Sequence, residues 1–206
     1  MGNLYELDLS TQALRPILEG LAEYPLCQYH EQENLLTVCT GNDVISFRPG
    51  GWQLNTVSLG SAKGVHVTFR KGETLVLTNE AQLLRFDAEG NRLSQSELHV
   101  YTSFYNNAAP AEGKQMNVTW IDTGAGDLIL NVFGLGNIID CDQWGVRGYV
   151  LNYKGYDALT DRVVAYTNSQ LGTFPRYTTA QVLALAEEEL NGYSLPQDLK
   201  DHYGIG

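Results

Sequence analysis

The sequence predicts a mainly β protein, an array of antiparallel four-stranded units with a period of about 39 residues, followed by a C-terminal helical tail. Three observations predict it. A stretch beginning at Leu36 realigns without a gap on one beginning at Leu75. The 206 residues include twelve Tyr, six Phe, three Trp and 21 Gly but only six Pro, a balance that suits short strands joined by tight turns. After Gly172 the apolar spacing changes from that of strands to that of a helix.

The two aligned stretches run from Leu36 to Leu59 and from Leu75 to Leu98. Leu36 falls on Leu75, Val38 on Leu77, Val44 on Leu83, Ile45 on Leu84, Phe47 on Phe86, Gly51 on Gly90, Leu54 on Leu93 and Leu59 on Leu98. Each unit contains an apolar run (LTVCT, LVLTN), an alternating run (DVISF, QLLRF) and a third run after a turn (QLNTVSL, NRLSQSEL). The turns between the last two, Arg48-Pro49-Gly50-Gly51 and Asp87-Ala88-Glu89-Gly90, have hairpin chemistry, because glycine takes positive φ without steric cost.

Two further copies are incomplete. Leu4 to Leu14 aligns with Val44 to Leu54 and supplies only the second half of a unit. Leu130 to Val132 and Ile138 to Arg147 align with Leu75 to Leu77 and Leu83 to Arg92 once an insertion is allowed, which residues 100–117 provide. Periods near 40 with four short strands per unit are the mark of propeller blades. Over residues 4–150 the chain therefore resembles the β-propeller proteins, although the Gly-His and Trp-Asp dipeptides of one large propeller family are absent. The resemblance implies a fold and no functional residue. It also suggests that the N-terminal half-unit is completed from the other end of the chain, with Tyr149–Tyr153 and Arg162–Tyr166 as the strands on offer, since closure would remove exposed edges; the alternative is an open, partial propeller that pairs with a partner.

In the tail, Thr178 and Gln181 have capping-box spacing. Val182, Leu183, Leu185, Ala186 and Leu190 form a helical stripe opposite Glu187–Glu189, and Asn191-Gly192 ends it. A second short helix is expected over 196–202. The expected organisation is one β domain over 1–172, interrupted at about 100–117, with a helical tail over 173–206 packed on it.

The formal charge of −11 disfavours nucleic acid, whose binding needs cations to replace released counterions. The same charge suits steering toward a basic protein, and it also serves solubility. Cys27, Cys39 and Cys141 are odd in number, widely spaced and without a C-x-x-C motif, as expected of buried free thiols in a reducing compartment. No signal-peptide pattern opens the sequence and no run of eighteen apolar residues occurs, so the expected location is cytoplasmic, away from membranes.

The search for chemistry returns structural readings. His30, His66, His99 and His202 share no metal-ligand spacing, and His66 alternates with Val65 and Val67 on a strand. Asp140-Cys141-Asp142 lacks the glycine and closing glutamate of a calcium loop, and Asp142, aligned with Asp87, is expected to cap a turn. Asp122-Thr123-Gly124-Ala125 resembles the nucleophile loop of aspartic proteases, but it precedes the apolar run Leu128–Leu130 and is expected to be a hairpin turn. Gly134-Leu135-Gly136 leads into a strand, whereas a dinucleotide loop must open a helix. No catalytic residue, metal site or cofactor is assigned.

What remains is the insertion, where Tyr101, Phe104, Tyr105, Asn106 and Asn107 form an aromatic and amide-rich loop of the kind favoured at binding surfaces. Folding of that loop onto its own domain is the competing expectation. Trp52 and Trp144 sit at matching turns of different units, where both are expected to be exposed. The function expected is that of a non-enzymatic module binding another, basic protein. In charge and size the chain is similar to bacterial immunity proteins, which occlude basic toxins. The alternative is an enzyme or carbohydrate-like small-ligand binder with its site at one end of the propeller, using Asp122, Asp127, His66 or Asp140.

Overall fold

The computed structural model describes residues 2–22, 25–48, 52–107, 116, 118–124 and 126–177, together with positions 181, 184, 185, 188 and 189; the side chains of residues 52–54, 106 and 107 lie outside the description. Seventeen strands among these residues form five antiparallel sheets. The first has two strands, β1 (Gly2–Leu7) and β2 (Leu14–Leu21). The second holds β3 (Leu26–His30), β4 (Leu35–Thr40), β5 (Asp43–Arg48) and β6 (Trp52–Ser58). The third holds β7 (Gly64–Arg70), β8 (Glu73–Thr78), β9 (Gln82–Phe86) and β10 (Arg92–Glu97). A six-residue helix, α1 (Thr102–Asn107), precedes the fourth sheet of β11 (Val118–Asp122), β12 (Asp127–Val132), β13 (Leu135–Asp140) and β14 (Gly145–Val150). The fifth has three strands, β15 (Tyr153–Asp157), β16 (Arg162–Thr167) and β17 (Gln170–Pro175).

The repeat survives in three dimensions. Its three runs are β4, β5 and β6 in one unit and β8, β9 and β10 in the next. The fourth strand of each, β3 and β7, lies just upstream of the aligned windows, where the two sequences no longer match.

Each sheet stacks on the next through an apolar layer. Leu4, Leu18 and Leu21 meet Val38 and Phe47 between the first and second sheets. Cys39 and Val44 meet Val67, Val76, Leu84 and Phe86 between the second and third. Leu75, Leu77 and Leu83 meet Leu128, Leu130, Ile139 and Trp144 between the third and fourth. Ile129 meets Tyr153 and Val163 between the fourth and fifth. The central strand β8 sends Val76 to one neighbour and Leu75 and Leu77 to the other, which is why its sequence is a continuous apolar run rather than an alternation. Two glycines permit the closest approaches. A Cβ on Gly64 would overlap the Cys39 sulfur, and one on Gly136 would stand 2.8 Å from the Tyr153 ring.

The expected closure is not what the structure shows. Tyr149 and Val150 complete β14 of the fourth sheet, and the chain then reverses at Asn152, with φ of 53°, into the separate fifth sheet. Val163 and Ala165 of β16 are buried on the fourth-sheet side, so this strand is committed there and not to β1. No strand of the first sheet pairs with one of the fifth. The second helix of the expected tail lies outside the described residues, as does most of the first. No helix among the described residues is long and apolar enough to cross a membrane. Of the three thiols expected to be buried, Cys39 is, with its pKa pushed up to about 12 by desolvation, whereas Cys27 is exposed and Cys141 half-buried.

Candidate interaction surface

The insertion is anchored before it can present anything. Asn137, fully buried on β13, accepts a hydrogen bond from the His99 backbone N–H at 2.8 Å and donates one to the His99 carbonyl at 3.0 Å. This clamp fixes where the segment leaves the third sheet. Phe104 then drops into the layer between the third and fourth sheets with no exposed surface, and Tyr105, 58 % exposed, lies edge-on against it. Tyr101 is half-buried. Of the expected aromatic surface, Tyr105 faces solvent while Phe104 belongs to the core; the side chains of Asn106 and Asn107 fall outside the described residues.

Trp144 departs furthest from expectation. It occupies a turn with φ of 53°, but its ring folds back between the third and fourth sheets and is buried. The Arg85 guanidinium covers the ring at 4.5 Å, Arg85 pairs with Glu73 at 2.9 Å, and the Ser96 hydroxyl donates to the Trp144 carbonyl. A wide apolar ring capped by a cation supplies more packing than an exposed turn residue would. Trp52 opens β6, and its side chain lies outside the described residues.

The groups named for the enzymatic alternative are engaged by neighbours. Asp122 accepts from Arg70 Nε at 2.7 Å and from the Gly124 N–H at 3.0 Å, which holds its carboxyl below the usual range. Asp127 is buried and accepts from both Arg147 and Arg176. Asp140 accepts from the N–H groups of Asp142 and Gln143, so Asp140 and not Asp142 caps that turn. Thr123, Gly124 and Gly126 lie in the hairpin connection between β11 and β12. His66 stacks on Trp120 with centroids 5.6 Å apart, and burial drives its pKa from 6.5 to about 4.

That shift predicts a pH dependence. Because the folded state resists protonating His66, the unfolded chain binds more protons between pH 6.5 and about 4, and stability falls as pH drops through that window. The loss attributable to His66 is up to about 3 kcal/mol. Urea unfolding of the wild type and His66→Gln at pH 7 and pH 4.5 checks it: the variant is expected to lose less stability on acidification, and equal losses would exclude a role for His66.

Charge is unevenly placed. All strands of the array run so that the turns at 8–13, 31–34, 71–72, 87–91, 123–126, 141–144 and 158–161 share one end of the sheets. Asp8, Asp87, Asp122, Asp140 and Asp157 each accept backbone N–H groups of the turns at this end. These are Asx-type turns, a structural use of aspartate. Glu31, Glu33, Glu89 and Asp142 stand at the same end without such a bond among the described residues, against the exposed cations Arg48, Lys71 and Arg92. A cleft of about 230 Å³ opens there between the second and third sheets, lined by Glu33, Arg48, Phe69 and Asp87 among others. It is smaller than the usual site for a drug-sized ligand, about 300 Å³ upward.

No known family matches the sequence and no curated protein matches it. Among solved structures the chain is similar to Sqt1 of Saccharomyces cerevisiae, at 13 % identity and a TM-score of 0.55, with 84 % of this chain covered and 52 % of that one. It is also similar to BamB from Moraxella catarrhalis, at 12 % identity and a TM-score of 0.48, covering 72 % and 45 %. The architecture is β-propeller-like. The chain spans about half the length of these propeller chains.

In the propeller-like array each blade covers a face of the next, and among the described residues no further sheet lies on the outer faces of the first and fifth blades. On the first, Tyr5 lies opposite Pro16 and Leu7 opposite Leu14, with Tyr5, Leu7 and Leu14 49 %, 51 % and 66 % exposed. On the fifth, Tyr166 lies opposite Leu171, and both are exposed. Lys154 Nζ sits 5.3 Å above the Tyr166 ring, and Arg162 binds the Thr173 hydroxyl and carbonyl. The signal for the first face was present in the sequence: Leu4, Tyr5 and Leu7 put apolar groups on both sides of β1, as in a strand covered on both faces.

Proposed function

We propose that this chain is a non-enzymatic protein-binding module of the propeller type, whose acidic turn end receives a basic partner in the manner of an immunity-type inhibitor. The observation that carries this reading is the gathering of Glu31, Glu33, Glu89 and Asp142 on one end of the array, beyond the aspartates that the turns themselves require. Carboxylates presented together on a rigid scaffold raise the encounter rate with a basic surface and lose that advantage as salt screens them. Tyr105, exposed near the other end, is left out of this surface.

The test uses the partner recovered from native lysate and a variant, E31Q/E33Q/E89Q/D142N, that spares every capping aspartate. Stopped-flow association is expected to slow about tenfold between low and high salt for the wild type, and to start slow and stay flat for the variant. A wild-type rate indifferent to salt, or a variant that associates as fast as the wild type, would sink the reading.

A further inference from the structure

We infer that the cleft between the second and third blades seats the guanidinium of one arginine side chain of the basic partner; the source of that arginine rests on the reading above. The repeat shows why the cleft is open. In the alignment of the two units Ser46 on β5 corresponds to Arg85 on β9, and their cross-strand partners correspond too, Asn55 opposite Ser46 and Ser94 opposite Arg85. At the junction of the third and fourth blades Arg85 fills the space, its guanidinium 4.5 Å over the Trp144 ring and its Nε 2.9 Å from Glu73. At the junction of the fourth and fifth, Arg176 bridges Asp127 and Asp161. At the junction of the second and third, a serine stands where Arg85 would, and a cleft of about 230 Å³ remains, small for a drug-sized ligand and roomy enough for one side chain.

The cleft keeps the surroundings that such a cation needs. Phe69 gives it an aromatic wall and Leu35 an apolar one, against which the stem and head of an arginine can lie. Glu33 lines the second-blade side, one position before the counterpart of Glu73, and has no hydrogen bond or ion pair among the described residues. Asp87 lines the third-blade side, fixed by the Asn91 side-chain amide at 2.9 Å and the Asn91 N–H at 2.7 Å, which hold its carboxyl below the usual range. His30 packs on Phe69 with centroids 5.1 Å apart, and burial lowers its pKa, so it is neutral at pH 7 and leaves Glu33 its charge. Against these two carboxylates the lining supplies one cation, exposed Arg48, so one negative charge is left over for a single positive group. A guanidinium can reach carboxylates on both blades with its planar fork of donors, whereas an ammonium is a point charge.

Nα-acetylarginine amide, titrated into the intact chain and followed by NMR at the amides of Gly72 and Thr74, is expected to bind with a Kd on the order of millimolar. The citrulline analogue, similar in shape but uncharged, is expected to bind at least about tenfold more weakly. Arg48→Gln is expected to tighten the arginine probe about threefold by removing a like charge; a loss of affinity would mean that the cleft takes an anion and would overturn the inference. Ser46→Arg supplies the guanidinium from within, as β9 does, and is expected to melt no lower than the wild type and to bind no probe. Arginine and citrulline bound alike, or Ser46→Arg binding as the wild type does, would also overturn it. Ser46→Met fills the cleft without charge, and its complex with the partner is expected to dissociate at least about tenfold faster while association keeps its salt dependence. If dissociation is unchanged while association still slows with salt, the reading above stands and this inference fails. If association ignores salt and Ser46→Met nevertheless dissociates faster, the steering fails and the seat remains. If neither rate responds while the probe still binds, the cleft serves a free guanidinium compound, and both fail.

Discussion

Replacing Phe104 by alanine is expected to cost about 3–5 kcal/mol, the range for removing a fully buried phenyl ring. For a chain of this size that corresponds to a melting temperature lower by roughly 6–20 °C. Phe104 has no exposed surface and belongs to the layer formed by Leu75, Leu83, Leu130 and Trp144, so its loss opens a cavity between the third and fourth blades. The neighbouring Tyr105→Ala removes a ring that is 58 % exposed and is expected to shift stability by less than about 1 kcal/mol. Calorimetry of the two variants separates an anchoring role for the segment from a display role. Equal, small shifts would mean that the helix is not seated as described and that both rings are free to meet a partner.

The repeat was legible because it rests on local rules. Val44 and Leu83 each face the following blade, Phe47 and Phe86 each face the preceding one, and Gly90, with φ of 86°, turns the hairpin as its sequence implied. The half-unit at Leu4–Leu14 was legible for the same reason. Closure was not, because whether Arg162–Tyr166 pairs with β1 or forms its own sheet depends on packing against Ile129, more than thirty residues away. Trp144 misled for a related reason. A tryptophan in a turn has no periodic neighbours to show which way the ring falls, and Arg85, Glu73 and Ser96, which hold it, come from the preceding blade. Alignment to Asp87 puts the capping role on Asp142, two residues too late; Asp140, the last residue of β13, takes that role. Nothing in the sequence pairs Arg176 with Asp127, since the two are joined only by the way the fifth blade stacks on the fourth.

Arg176→Ala is the second large effect. Arg176 follows β17, and its guanidinium donates to buried Asp127 in the fourth blade and, at 2.9 and 3.0 Å, to both carboxylate oxygens of Asp161 in the fifth. Arg147 reaches the same Asp127 oxygen. Truncating the arginine leaves Asp127 buried with one cation in place of two, and removing one partner of a buried ion pair costs about 3–5 kcal/mol. Arg176→Lys is expected to recover little, because an ammonium cannot fork across two carboxylates. Asp161→Asn is expected to cost less than either, since its side chain is 47 % exposed and Asp127 keeps both arginines. The pH dependence carries the sign of a depressed acid. Arg176 holds the Asp161 carboxyl below its ordinary value of 3.8, so the stability this pair supplies is present above that value and is lost as pH falls through the lower folded one. The gap in urea midpoint between wild type and Arg176→Ala is therefore expected to be widest near neutrality and to narrow in strong acid. A gap that holds constant to pH 2 would show that the arginine acts through packing of its stem and not through its charge.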